Sequence, residues 1–528
     1  MARSPGLAEL ADQRALSFVA GSFLHERFMG VLAMLLLTAT ILGTIILLAS
    51  WGAKTRREKF IRCHAGILLA WWYVQSNARR FQVGGPKVFW LQLAPLLSPS
   101  RNGADVLVHV VSLVLLVIIL LRLTSRSWSV HALAGCLLYM AVFDPLFIGD
   151  YFITPVVLSF FWFCLPTAQG SVAGLQLQWM FLMSGSGLSK VGPHFDRPTA
   201  AHLALMASSL LPPWVNEYFW RGPEDLRPTS FAAVLGASTI LAEIVIPMFL
   251  FSSSRTVVRL AVFGLALMHT AMSICTVILT YMEVFMTMVW CYLFLGGDRD
   301  GPLFGFDYSG FRAMPRAVKV LMFAFYVLNM SGQLQPVGDW HPWCKYAHFA
   351  SGNQPIQNPV LFKKSAYDKL QKARLADPIA FTPGIQHGAD QLVVRWFLEL
   401  NYKPSAALVD CAIALAGGNA TDYAMTFSES STSVVGGGEC GSMTDYNLHL
   451  FRALAGLGLF EAGEIMQVWM HPVAWPQLHM GRQAMTWSIW DGKNGLVRSG
   501  ELTSAQLRSI RMPSHVMEFL PPECSSGA

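Results

Sequence analysis

"TVVRLAVFGLALMHTAMSICTVILTYMEVFMTMVWCYLFLG", residues 256–296, holds one arginine, one histidine and one glutamate in an otherwise apolar run. The hydrocarbon core of a bilayer is about 30 Å thick, and about 18 to 20 apolar residues cross it as a helix. This run is long enough for two crossings. Clear spans of the same kind lie near 29–50, 105–122, 172–190 and 229–252, and shorter ones near 63–76, 131–147, 152–165 and 317–332. The pattern predicts an all-α polytopic membrane bundle of about nine or ten transmembrane helices, followed by a soluble α+β C-terminal domain. Pro145 and Pro155 bracket a tight polar link that could instead make a re-entrant pair.

Composition agrees. Of 528 residues, 53% are hydrophobic and 13% charged, against about 25% charged in a typical soluble domain. A net charge of +6 over this length makes no case for nucleic acid. The basic residues read as topology signals, since short cytoplasmic loops collect lysine and arginine. "KTRREKFIR" (54–62), Arg122 with Arg126, and Arg255 with Arg259 fall on one side if every span crosses, which puts them in the cytosol. The C-terminal region then lies in a lumen or outside the cell, although Arg79, Arg80 and Lys87 oppose that orientation.

Four segments follow. Residues 1–56 carry one anchor, too long for a signal-peptide core. Residues 57–300 form the main membrane domain, 301–333 connect through a last helix, and 334–528 are a soluble domain. In that tail "LFKKSAYDKLQKARLA" (361–376) reads as a helix. "QAMTWSIWDGKNGLVRSG" (483–500) reads as a hairpin, two alternating arms around a Gly-rich turn. "SSTSVVGGGECGS" (430–442) is a loop by composition. Asn419-Ala420-Thr421 matches a glycosylation acceptor. Of nine cysteines, Cys344, Cys411, Cys440 and Cys524 stand in the polar tail and could form disulfides in an oxidising compartment. The scattered tail histidines lack ligand spacing, so no metal is expected.

Ionisable groups at membrane depth cost about 2.5–3.5 kcal/mol each and usually face a partner or a cavity. Lys190, at the end of "FLMSGSGLSK", either snorkels to the interface or is a desolvated amine able to act as a base. Glu243 lies mid-run, as a buried salt bridge or a chemical group. His269 and Glu283 have helix–helix hydrogen bonds as their plain readings, and Asp150 can cap the helix after it. Together, one lysine and two glutamates with a histidine, from different helices, would make a polar cluster inside an apolar bundle.

The order of "FIRCHAGILLAWW" (60–72), "FDPLFIGDYFITPVVLSFFWFCLP" (143–166), "GLQLQWMFLMSGSGLSKVGPHF" (174–195), "ILAEIVIPMFLF" (240–251) and the run from Leu265 to Leu295 resembles the HTTM family of membrane proteins, which includes the vitamin K-dependent γ-glutamyl carboxylases. The resemblance spans roughly 57–300. It implies Lys190 as the base that deprotonates reduced vitamin K or another quinol. Arg62, Asp150, Glu243 and His269 would line or brace the pocket, Glu283 with them. Asp144-Pro145 stands where the carboxylases carry Asn-His, and Phe195 where a tryptophan is usual.

Three readings remain open: a carboxylase-like or quinol-dependent enzyme on a lipid or protein substrate, a non-enzymatic maturation or assembly factor with a client-binding lumenal tail, and a transporter. The last lacks any inverted repeat. Partners implied are membrane lipid and a protein substrate or client.

Overall fold

The computed structural model describes residues 40–77, 101–122, 128–143, 153–189, 217–222, 225–275, 290–295, 305–330, 360–372, 405–419, 422–426, 454–472, 485–511 and 513–524, with Leu36 and Phe451. The helices of the first part are α1 (Thr40–Ser50), α2 (Arg56–Asn77), α3 (Arg101–Leu120), α4 (Trp128–Phe143), α5 (Ile153–Phe163) and α6 (Ala168–Ser189). A two-stranded ribbon, β1 (Trp220–Gly222) and β2 (Asp225–Pro228), precedes α7 (Ser230–Val245) and α8 (Arg255–Cys275). The helical residues 290–295 (α9), then α10 (Tyr308–Ala313) and α11 (Arg316–Met330), complete the bundle.

One apolar cluster joins side chains of α1 to α6 and α8 to α11, and α7 reaches it through Leu250 of its 3-10 extension. Its axis is α6, which is buried from Gly170 to Met180 without a break. A helix apolar on every side is a core helix. The two glutamines that α6 brings inward are satisfied. Gln178 donates to the Pro155 carbonyl (2.7 Å) and accepts from the Trp162 indole (2.7 Å). Gln176 donates to Leu293 O (2.9 Å) and Gly305 O (3.0 Å) and accepts from the Asp307 amide (2.9 Å).

Outer helices are apolar on both faces. On α3, Ser112, Leu115, Leu116 and Ile119 face inward, while Leu107, Val110, Val114 and Val117 are exposed at spacings of three and four. An exposed apolar stripe of this kind suits lipid. Among the described residues one helix is long and apolar enough to cross a membrane, Ser230–Phe251, in which Pro247 sits where the α-helix tightens to 3-10 turns. Thr40–Ser50, Leu107–Leu120 and Trp128–Met140 are apolar but shorter. Nine or ten spans are thus not confirmed. In α2 and α6 buried Arg56, Arg62 and His64, and buried Gln176 and Gln178, interrupt the apolar runs, and parts of the runs at 29–50 and 256–296 lie outside the described residues. The proposed re-entrant link falls mostly on 144–152, outside the described residues.

Four arginines tie the bundle at one end. Arg62 donates to Leu120 O (2.9 Å), Trp51 O (2.6 Å) and Leu48 O (2.7 Å). Arg56 donates to Leu293 O, Arg57 to Phe163 O and to Leu165 O (3.1 Å), and Arg122 to Gly52 O. Arg122 also pairs with Glu58 at 2.8 Å. These carbonyls lie at the C-terminal ends of α1, α3, α5 and α9, where a helix leaves its last carbonyls without partners.

The C-terminal region carries a five-stranded antiparallel sheet, order β4-β3-β5-β6-β7. Its strands are β3 (Val360–Lys363), β4 (Tyr423–Thr426), β5 (Ile465–Pro472), β6 (Met485–Asp491) and β7 (Gly495–Leu502). Helix α12 (Lys364–Lys372) follows β3, α13 (Ser405–Leu415) precedes β4, and α14 (Ser504–Ser509) follows β7. One face packs α13 and residues 507–524 against Leu361, Met466, Val468, Trp487 and Ile489. The other packs Val360, Phe362 and Ile465 against Ala366, Phe451, Leu454 and Phe460. The expected hairpin is β6–β7, turned by Asp491, which accepts from the amides of Lys493 (2.9 Å) and Asn494 (2.7 Å). The expected helix is α12. Lys369 on it holds Glu464 at 2.7 Å. Burial acts to raise the Glu464 carboxyl, but hydrogen bonds from Lys369, Ser365 and the Glu461 amide outweigh it and leave it lowered. Cys411 of α13 is bonded to Cys524, closing 113 residues of chain. The Gly-rich stretch 430–442 lies outside the described residues.

Cross-linking so long a segment removes about 4–5 kcal/mol of unfolded-chain freedom in the entropic model. The Cys411→Ser/Cys524→Ser double variant should therefore unfold its tail well below the wild type in a thermal or urea melt. Equal midpoints, with and without reductant, would show the bridge contributes nothing.

Candidate functional site

The described residues hold three of the six membrane candidates. Glu243 projects from α7 and is 1% exposed, and His269 projects from α8 and is 3% exposed. Arg62 is on α2. Lys190, Asp150 and Glu283 lie outside the described residues.

The setting of Glu243 is made by a glycine. A methyl group added to Gly187 on α6 would stand 2.9 Å from Glu243 Cβ and 2.7 Å from Ile244 Cγ1. Only a residue without Cβ lets α6 and α7 approach so closely, and the approach packs the last turn of α6 on the carboxylate-bearing turn of α7. Lys190 follows Gly187 by three positions in the chain. His269 has a defined partner: its Nε2 accepts from the Trp290 indole at 3.1 Å, and Trp290 stacks on Phe294. An indole N–H can only donate, so the imidazole proton lies on Nδ1. Arg62 fills its guanidinium with three carbonyls, so it braces helix ends. It stands in the arginine layer and none of its hydrogen bonds reaches Glu243 or His269.

Other buried polar residues of the bundle gave no signal in sequence. His64 bonds Phe60 O at 2.8 Å through Nδ1, lies edge-on to Phe163, and its buried Nε2 has no hydrogen-bond partner among the described residues. A lone histidine in "FIRCHAG" carries no pattern that marks it. Among the described residues no group of three histidine, cysteine or acidic side chains could hold a metal.

The tail offers a second candidate. An open groove of about 650 Å³ runs between β7 and the C-terminal segment, lined by Trp487, Leu496, Val497 and Phe519 and by the polar Arg498, Ser499 and Glu501, among others. Leu496 is 51% exposed and Val497 38%. Trp487 forms the floor because Gly500, opposite it in the ladder, has no side chain. A Cβ there would stand 2.5 Å from the indole ring. The indole nitrogen is buried and has no hydrogen-bond partner among the described residues. β7 is an edge strand, paired on one side with β6 and on the other with nothing among the described residues. Arg498 on β7 reaches Glu523 at 3.5 Å across the groove mouth.

A helical membrane bundle braced at one end and joined to an antiparallel sheet domain is therefore the class of protein defined here. The chain belongs to a family of transmembrane proteins of unknown function, DUF3556, whose family model matches residues 127–510. The match runs from the start of α4 through the rest of the bundle and the sheet. No relationship to the HTTM proteins or to carboxylases is shown, no curated protein matches the chain, and no solved structure matches it. A membrane location follows from the family.

Replacing Arg62 by Lys keeps the charge but puts its three donors on one nitrogen, where three carbonyls are arranged around the separate nitrogens of a planar fork. We expect Arg62→Lys to lose about 2 kcal/mol and Arg62→Ala about 3–5 kcal/mol of bundle stability, read as a lowered melting temperature in detergent. A lysine variant as stable as wild type would show that the fork geometry is not needed.

Proposed function

We propose that this protein is a membrane-anchored assembly or maturation factor, whose bundle fixes it in the bilayer and whose sheet domain binds an extended segment of a client protein. The groove along β7 carries this reading. It combines a ladder edge that pairs with nothing among the described residues, exposed Leu496 and Val497, and an aromatic floor opened by Gly500. Extended peptides add to such edges by main-chain hydrogen bonds, with side-chain pockets supplying selectivity. Bare strand edges are otherwise a liability that proteins cover or charge. The Cys411–Cys524 bridge supports a lumenal or extracellular tail, because disulfides persist in oxidising compartments. The gathering of Arg56, Arg57, Arg62 and Arg122 at one end of the bundle supports a cytosolic position for that end.

A photo-crosslinking residue at Leu496 should capture a discrete client segment in membranes. Val497→Glu, which puts a charge on the exposed wall of the groove, should reduce that product at least about tenfold, a loss of about 1.4 kcal/mol or more. Undiminished capture by the charged groove would remove this assignment.

A second reading keeps the membrane enzyme, with Lys190 as general base on an isoprenoid quinol or similar lipid. The approach of Gly187 to buried Glu243 favours it, since a carboxylate there would sit near the end of the helix that leads into Lys190. Reduced vitamin K or another quinol is the cofactor that reading calls for. The described residues do not fit one: His269 gives its Nε2 to Trp290, and Arg62 is filled by carbonyls. Purified protein in nanodiscs should oxidise a quinol and lose that turnover in Lys190→Ala if this reading holds. No turnover in the wild type, across several quinols, would end it.

A further inference from the structure

We propose that the arginine-clamped end of the bundle binds the head group of an anionic phospholipid through Arg312, Arg316 and Lys319. The three cations are held together by the fold. Gln176, which shares the Leu293 carbonyl with Arg56, accepts from the Asp307 amide and so ties the start of α10 to the arginine layer. Asp307 in turn caps α10, accepting from Gly310 N at 2.8 Å and Ser309 Oγ at 2.7 Å. Its carboxylate is thus buried and directed at the helix it caps. Lys319 reaches back from α11 to donate to Arg312 O at 3.1 Å, with its ammonium 4.9 Å over the Phe311 ring. Its charge therefore stands beside residue 312.

Arg312 and Arg316 are exposed, Lys319 is half-buried, and none of the three pairs with a carboxylate among the described residues. Three cations gathered at the α10–α11 turn, none paired with a carboxylate among the described residues, repel one another, and an external anion relieves that repulsion. The surface below them names the anion's source. Val320 and Phe323 follow Arg316 at four and seven positions on α11, exposed at 66% and 65%, with Leu321 at 70% beside them. Residues at that spacing share one helix face. The face is charged at its start and apolar along its length, as a phosphodiester with acyl chains requires. Arginine forks match phosphate oxygens bidentately, and each basic residue near an anionic surface is worth about a fivefold preference.

A plain orientation signal would need the same charges but would retain no particular lipid. Purified full-length protein is incubated with equal amounts of phosphatidylglycerol and phosphatidylcholine and the retained lipid is weighed by native mass spectrometry. The wild type should retain phosphatidylglycerol in excess, and Arg312→Gln, Arg316→Gln and Lys319→Gln should each lower the ratio about fivefold. A ratio near one in the wild type, or one unchanged in the triple variant, would overturn the proposal. If the triple variant does not fold, the wild type decides, because the excess must fall when salt is raised to about 0.5 M. Complete displacement of the lipid by millimolar inorganic phosphate would also overturn it, since the acyl face would then contribute nothing.

Discussion

A helix that ends inside or beside a bilayer leaves carbonyl groups that water cannot reach, and in this protein guanidinium groups meet them. Arg62 alone bonds the ends of α1 and α3, Arg57 the end of α5, and Arg56 that of α9. Unsatisfied backbone groups in a bilayer cost several kcal/mol each, so these contacts settle which way the helices run. Helices α1, α3, α5 and α9 all point their C-termini at one layer, and α2 starts from it and runs away. The same layer receives Gln176 from the central helix, and through it the start of α10. Remove the clamp, and four helix ends lose their alignment together.

The arginines also explain what could be read from the sequence. The apolar runs near 105–122, 172–190 and 229–252 are helices α3, α6 and α7 with its 3-10 extension, because lipid-length hydrophobicity is a local property. The start of α2 was not legible. "RREKFIR" looks like a loop, yet it is the first turns of a helix, since Arg56 and Arg62 spend their charge on carbonyls from α1, α3 and α9 rather than on water. Nor was α6 legible as a core helix: "GLQLQWMFLM" shows two glutamines, and only their distant partners at 155, 162, 293, 305 and 307 make them buried groups.

The candidate sites divide in the same way. The β6–β7 hairpin could be read from Asp491-Gly492-Lys493-Asn494-Gly495, because its carboxylate acts on amides two and three residues away. The groove beside that hairpin could not, as it needs residues 519–522 to return over β7 from beyond α14. In the bundle, Glu243 and His269 were found as buried residues in apolar runs, and both are buried. What could not be read is that Gly187 faces one and Trp290 the other. The family match, which includes both the bundle and the sheet, gives no reason to seek the function in one of them alone.

The bridge between Cys411 and Cys524 makes most of the sheet domain a closed ring of chain. Strands β4 to β7 lie inside that ring, while β3 and α12 lie before it. A protease that cuts the backbone once anywhere between the two cysteines leaves both fragments covalently joined. The nicked molecule stays one species on a non-reducing gel and separates into two when the bridge is opened. A cut between residues 330 and 360, by contrast, parts the membrane bundle from the whole sheet, β3 included, and releases a fragment that contains the groove without its anchor.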